Sequence, residues 1–144
     1  MHTSIRIKKL HPEAAVPRYA TPGAAGFDLC VSQETTVLPE RCTLIPTGLA
    51  FELPPGYCMQ IIPRSGLSRD YQGYVANSPG LIDSDYRGEV KILFYNKGPV
   101  PLVFSKGRRI AQGVILQHAQ CAFRVAQELT ETERGDGGFG STGD

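Results

Sequence analysis

The sequence has no surplus of either charge, no apolar run long enough to cross a membrane and no closely spaced cysteines. A formal charge of +1 on 144 residues argues against a chain built to coat nucleic acid, because such binding relies on clustered Lys and Arg neutralising phosphates. A local basic pocket stays open. A membrane-crossing helix needs about 20 consecutive apolar residues, and none is present. Arg6, Lys8 and Lys9 near the N-terminus precede no apolar stretch that would serve as a secretion signal. The chain is expected to be soluble, unexported and cytoplasmic, with neither membrane nor nucleic acid as a partner. Cys30, Cys42, Cys58 and Cys121 include no CxxC pair, and His2, His11 and His118 are equally scattered. Free thiols in a reducing compartment are expected rather than a disulfide framework or a zinc site.

Length uninterrupted by helix breakers is also scarce. The 16 Gly and 11 Pro recur every few residues from Pro12 to Pro101, so short strands are what the chain can form. Residues 5–10, 27–31, 43–45, 49–53, 57–62, 89–95, 101–104 and 109–117 are rich in Val, Ile, Phe, Tyr or Thr and bounded by turn residues, and each is expected to be a strand. In 89–95, Val90, Ile92 and Phe94 are expected on one face and Lys91, Leu93 and Tyr95 on the other. Many short strands without alternating helices point to an all-β sandwich or barrel. One helical turn is expected after Arg64-Ser65-Gly66. A chain of this size makes one domain and buries roughly 70% of its unfolded surface. A core over 1–126 is expected, followed by an arm over 127–144. The last eleven residues of that arm hold five glycines and one aromatic, Phe139, which reads as flexible.

Five segments carry side chains suited to phosphate chemistry. Pro63-Arg64-Ser65-Gly66-Leu67 ends an apolar strand with a guanidinium, a hydroxyl and a sterically open amide, a combination that favours phosphate oxygens. A capped turn with a surface Arg explains the same residues equally well. Residues 80–88, GLIDSDYRG, bring two carboxylates and a tyrosine into one turn, where one acid can act as general base while the other faces solvent. Asp-Ser-Asp is also ordinary turn composition. Gly135-Asp136-Gly137-Gly138-Phe139-Gly140 matches GxGxxG but lacks the strand, helix and following βα unit of a dinucleotide site. Taken alone the segment reads as a disordered terminus rather than a phosphate loop, yet an Arg and a Phe in a glycine-rich arm also suit a lid. AAGFDL and GRRIAQ are bland alone.

In their order and spacing these segments, AAGFDL, PRSGL, GLIDSDYRG, GRRIAQ and RGDGGFGSTG, closely resemble the five motifs of the trimeric deoxyuridine triphosphate nucleotidohydrolase (dUTPase) family, over essentially the whole chain. The resemblance implies a distorted β jelly roll of β-clip type, assembled as a homotrimer with active sites at subunit interfaces and the arm closing over a neighbouring site. It implies Mg²⁺-dependent hydrolysis of dUTP to dUMP and pyrophosphate, an activity that limits uracil incorporation into DNA and supplies dUMP for dTMP synthesis. Asp83 matches the general base, and Tyr86 matches the ring under the deoxyribose. Arg64, Ser65, Gly66 and Gln112 match the residues holding the triphosphate. Asn77 lies where a β-hairpin reads uracil, and Asp28 matches the acid that reaches magnesium through water. Arg134 and Phe139 match tail residues that contact the terminal phosphate and stack on the base. Phe27 replaces a usual tyrosine and Arg108 a usual acid. Two rival readings are a dCTP deaminase, which resembles the family in fold and in part of the third motif, and a dUTP-binding regulator. The tail and Tyr86 weigh against the first, and Asp83 weighs against the second.

Overall fold

The computed structural model describes residues 4–138. Eleven strands and one short helix run through them in the order β1 (Arg6–Lys9), β2 (Gly26–Cys30), β3 (Thr35–Val37), β4 (Arg41–Pro46), β5 (Leu49–Glu52), β6 (Tyr57–Ile62), α1 (Ser65–Asp70), β7 (Gly73–Val75), β8 (Gly80–Ile82), β9 (Lys91–Asn96), β10 (Leu102–Phe104) and β11 (Arg109–Gln117). Every strand pairing among them is antiparallel. A four-stranded sheet, β2-β11-β6-β8, faces a three-stranded sheet, β4-β9-β7, across the core, and β1-β5 and β3-β10 form two smaller pairs. The described residues contain no helix long and apolar enough to cross a membrane.

Alternation along the strands explains the core. In β9 and the residue before it, Val90, Ile92 and Phe94 are fully buried while Lys91 is exposed. Ile45 joins them from β4 of the same sheet, and Leu29, Val37, Leu49, Met59, Phe104 and Ile110 from the other sheets. Phe94 meets Phe104 edge-on, with ring centroids 5.0 Å apart, a favoured aromatic geometry. Asn96 is the polar exception at the end of β9. Its side-chain amide donates to the carbonyls of Val37 (3.0 Å) and Val100 (2.8 Å), and its oxygen accepts from the Gly98 amide (2.9 Å). A buried amide with every neighbour satisfied ties β9 to β3 and to the following turn instead of destabilising the core.

All eight expected strands are present within a few residues of their expected bounds. Three more, β3, β7 and β8, span only three residues each, too short for alternation to mark them. The expected helical turn is α1. All four cysteines are free. The last strand ends at Gln117, and residues 118–138 contain neither helix nor strand. Phe123, Val125 and Leu129 stand almost fully exposed there.

Candidate functional site

The first cluster lies on the β2-β11-β6 part of the large sheet. Gln112 on β11 is level with Asp28 on β2 and with Ile62 at the end of β6. Arg64 follows two residues later, where Pro63 ends the strand and α1 begins. Its Nε donates to Asp28 Oδ1 at 2.7 Å, and both side chains are about one-fifth exposed. Arg109 Nη1 donates to the other carboxylate oxygen, Oδ2, at 3.3 Å. One carboxylate therefore sits between two guanidiniums, leaving a net positive cradle.

A β-bulge brings Arg109 there. The register of β11 on β2 shifts between Arg109 and Ala111, and the extra residue, Ile110, is buried. Unbroken alternation from Gln112 would have turned Arg109 onto the core face with Ala111 and Gly113. The bulge re-aims it onto the face of Asp28.

Ser65 and Gly66 open α1, whose N-terminal neighbour Arg64 is extended and lends no side-chain cap. The first amides of a helix have no partner within it, so those of Ser65 and Gly66 can serve as donors. A Cβ at Gly66 would meet nothing within 4 Å; the glycine relieves no crowding inside the chain and keeps its amide approachable. Arg108, the replaced acid, lies over the Tyr71 ring with 5.5 Å from guanidinium carbon to ring centroid. Phe27 is buried, edge-on to Tyr19 and stacked on Phe51, a packing position that uses no hydroxyl. Cys30, beside the cradle, has its thiol pushed up by burial and next by the Asp28 carboxylate, which keeps it protonated.

The second cluster follows β8. Asp83 and Tyr86 line one cleft of about 280 Å³ together with Leu44, Leu81, Ile82, Glu89 and Lys91. A tight turn joins the two: the Tyr86 amide donates to the Asp83 carbonyl at 3.2 Å. Arg87 secures the turn through Nη1, which donates to the carbonyls of Ser84 (2.7 Å) and Tyr86 (3.0 Å). The Tyr86 ring covers Gly88 so closely that a Cβ there would lie 2.3 Å from its hydroxyl oxygen, so only glycine fits beneath it. Asn77 follows β7, which pairs antiparallel with β9. Its side chain folds over Gly80 at the opposite end of β8 from Asp83.

The two clusters sit at opposite ends of β6. Ile82 is level with Met59, which sets Asp83 beside Cys58, six residues from Arg64. At about 3.3 Å per residue, that separation is about 20 Å. One chain thus brings Asp28, Arg64 and Gln112 together, and separately Asp83 with Tyr86, but does not bring the two groups together. Arg134 lies in a turn of the tail, where its Nε donates to the Gly137 carbonyl at 2.9 Å, exposed and apart from both clusters. Phe139 lies outside the described residues.

The deciding observation is the match of residues 12–143 to the dUTPase family model. The chain belongs to the dUTPase family. Among its relatives, deoxyuridine 5'-triphosphate nucleotidohydrolases of Nautilia profundicola and Helicobacter pylori strain P12 are 50% and 44% identical to it. Each alignment covers 96% of this chain, with 98% of the Nautilia protein and 96% of the Helicobacter protein. A mutant dUTPase of Staphylococcus bacteriophage 80alpha, solved with dUpNHpp, is 24% identical and superposes with a TM-score of 0.93 over 99% of this chain and 100% of its own. The fold is thus the distorted all-β jelly roll of dUTPases, reached independently from strand pairing and from superposition.

Arg109 and Glu89 are the site residues that sequence reasoning passed over. A signal for Arg109 lay in GRRIAQ, but a bulge shows only once strands are paired. Glu89 follows the third motif directly, and only the folded turn reveals its bonds.

Proposed function

We propose that this chain hydrolyses dUTP to dUMP and pyrophosphate in the cytoplasm, as a homotrimer whose active sites are shared between subunits and which uses Mg²⁺. The observation that carries the reading is the pairing of a base candidate, Asp83, and an aromatic floor, Tyr86, in one cleft, with a cationic cradle at the far end of the same strand.

The nucleoside would lie along β8, with uracil at the Asn77 end, the deoxyribose over Tyr86 and the reacting phosphate beside Asp83. Three residues of strand separate Gly80 from Asp83, about 10 Å, a span suited to a base and sugar. Asp83 takes a proton from the attacking water. A positioned general base is worth about 10²- to 10⁴-fold. A rigid ring under C2′ leaves no space for a ribose hydroxyl, so the site selects against UTP.

The triphosphate would be held by Arg64, the Ser65 and Gly66 amides and Gln112. A separation of about 20 Å along β6 exceeds the length of a phosphate chain, so Asp83 and Arg64 of one chain cannot serve the same nucleotide. That distance supports a site with Asp83 from one subunit, the cradle from a second and Arg134 and Phe139 from the tail of a third.

The described residues contain no group of three or more His, Cys, Asp or Glu side chains that would enclose an ion, while Asp28 offers a lone, half-buried carboxylate beside the cradle. That donor set fits Mg²⁺ carried on the triphosphate with most of its water retained, because Mg²⁺ is usually held by one or two carboxylates plus substrate phosphates. Bound there, the ion would neutralise charge on the phosphates. Asp28 would contact it through water, and Arg64 would turn from the carboxylate to phosphate oxygens.

The test is pyrophosphate release measured across dUTP, dCTP, dTTP and UTP. Release from dUTP alone is expected. Ammonia from dCTP would support the deaminase, and tight dUTP binding without pyrophosphate would support the regulator.

A further inference from the structure

The turn carrying Asp83 and Tyr86 is held at its C-terminal end by Glu89. Its side chain is about one-fifth exposed, although a carboxylate strongly prefers water. One oxygen accepts from the Gly48 amide at 2.9 Å, and the other lies 3.5 Å from Lys91 Nζ. Gly48 is a fixed anchor. Its φ of +69° and the crowding of an added Cβ against Ala14 (2.9 Å) and Ser32 (3.0 Å) restrict it to glycine, and its carbonyl accepts from the Leu10 amide at 2.8 Å. Next to this bond, Val90 donates to the Leu49 carbonyl at 2.8 Å, and the buried Thr47 hydroxyl donates to the Val90 carbonyl at 2.5 Å.

Residues 89 and 90 are thereby fastened to the 47–49 turn. The main-chain carbonyl of Glu89 is also where the Tyr86 hydroxyl donates, at 3.1 Å. The ring has two constraints: Gly88 beneath it and the Glu89 carbonyl at its tip.

We infer that Glu89 is a positioning residue for sugar selection: its carboxylate, bonded to the Gly48 amide, fixes the carbonyl that holds the Tyr86 ring and so sets how firmly the site excludes a 2′-hydroxyl. The inference rests on the proposed role of Tyr86 under the sugar. A ring excludes a hydroxyl only if it cannot move aside, and Glu89 opposes that movement without touching the nucleotide's reacting atoms. Lys91 Nζ, 3.5 Å from the second oxygen, holds the carboxylate turned toward Gly48.

The experiment compares kcat/KM for dUTP and for UTP in the full-length wild type and in Glu89→Ala, Glu89→Gln and Tyr86→Phe. Alanine removes the bond to Gly48, and the dUTP-over-UTP ratio is expected to fall about tenfold, the contribution of a single hydrogen bond. Glutamine retains an oxygen of the same reach and should restore most of the ratio. Tyr86→Phe breaks the link from the ring side, so its ratio should fall in the same direction even if the alanine variant does not fold. Thermal melts accompany each variant. Equal losses on both nucleotides, with the ratio unchanged in Glu89→Ala or Tyr86→Phe, would overturn the inference and leave Glu89 a purely structural residue. A wild type that hydrolyses UTP as readily as dUTP would instead overturn the role of Tyr86 on which the inference stands.

Discussion

Replacing Asp83 by asparagine keeps the size of the side chain and one carbonyl oxygen while removing the charge that accepts a proton. If Asp83 is the base, it assists the transition state more than the bound substrate. Asp83→Asn should therefore bind dUTP within about tenfold of wild type and turn it over roughly 10² times more slowly. Calorimetric titration with a non-hydrolysable analogue together with single-turnover rates reads both quantities, and near-native turnover would remove Asp83 from the mechanism. The same scale shows why Asp28 was the harder residue to place. Its sequence context, AAGFDL, is that of any strand entry. Only the pairing of β2 with β11 reveals the two guanidiniums that claim its oxygens. Side chains whose purpose depends on a partner far along the chain carry no local mark of it. Arg109 illustrates this best, since strict alternation would have sent it to the other face.

Elements were more legible than residues. Alternating apolar positions in β9, the Val, Ile, Phe, Tyr and Thr content of the other strands and the turn residues that bound them are local properties, and they located the longer strands. β3, β7 and β8 escaped because three residues hold too few alternations and because Gly73 and Gly80 are poor strand formers. Glycines inside strands have their own explanation here. A Cβ at Gly113 in β11 would lie 2.5 Å from the Phe27 ring and 3.0 Å from Met59 Sδ, so Gly113 is where two buried side chains from neighbouring strands share one space. Gly113→Ala should destabilise the fold by about 1–3 kcal/mol through overpacking, visible as a lower midpoint in a denaturant melt. The arm behaves oppositely. Beyond Gln117 the described residues contribute nothing to the core, so deleting 134–144 should leave the melting midpoint within a degree or two while abolishing most hydrolysis of dUTP. Native turnover by a truncated chain that melts normally would leave the tail without a role in the site.

At the scale of the whole molecule, the proposed site calls for more than one chain. Its two clusters point to a shared site because β6 keeps them apart, and no movement of side chains closes about 20 Å of strand. The strand expected over 57–62 already sets Cys58 and Arg64 about 20 Å apart, but only the pairing of β8 with β6 shows that Asp83 lies beside Cys58. Complementation between defective chains tests the sharing directly. Asp83→Asn lacks the base but has an intact tail, and the chain without 134–144 has the base but no tail. Alone, each should be nearly inactive. Unfolded together in equal amounts and refolded as mixed trimers, they would let Asp83 of one kind of chain meet the tail of the other. If the two pieces of each site come from different subunits of a closed symmetric ring, random assortment joins an intact Asp83 to an intact tail in about one site in four. Activity should recover to about that fraction of wild type, with heterotrimers verified by mass spectrometry. If both pieces came from the same chain, no mixed site would possess both. Verified heterotrimers that stay inactive would then reject the division of the site between subunits, while dUTP hydrolysis by the intact protein would stand unchanged.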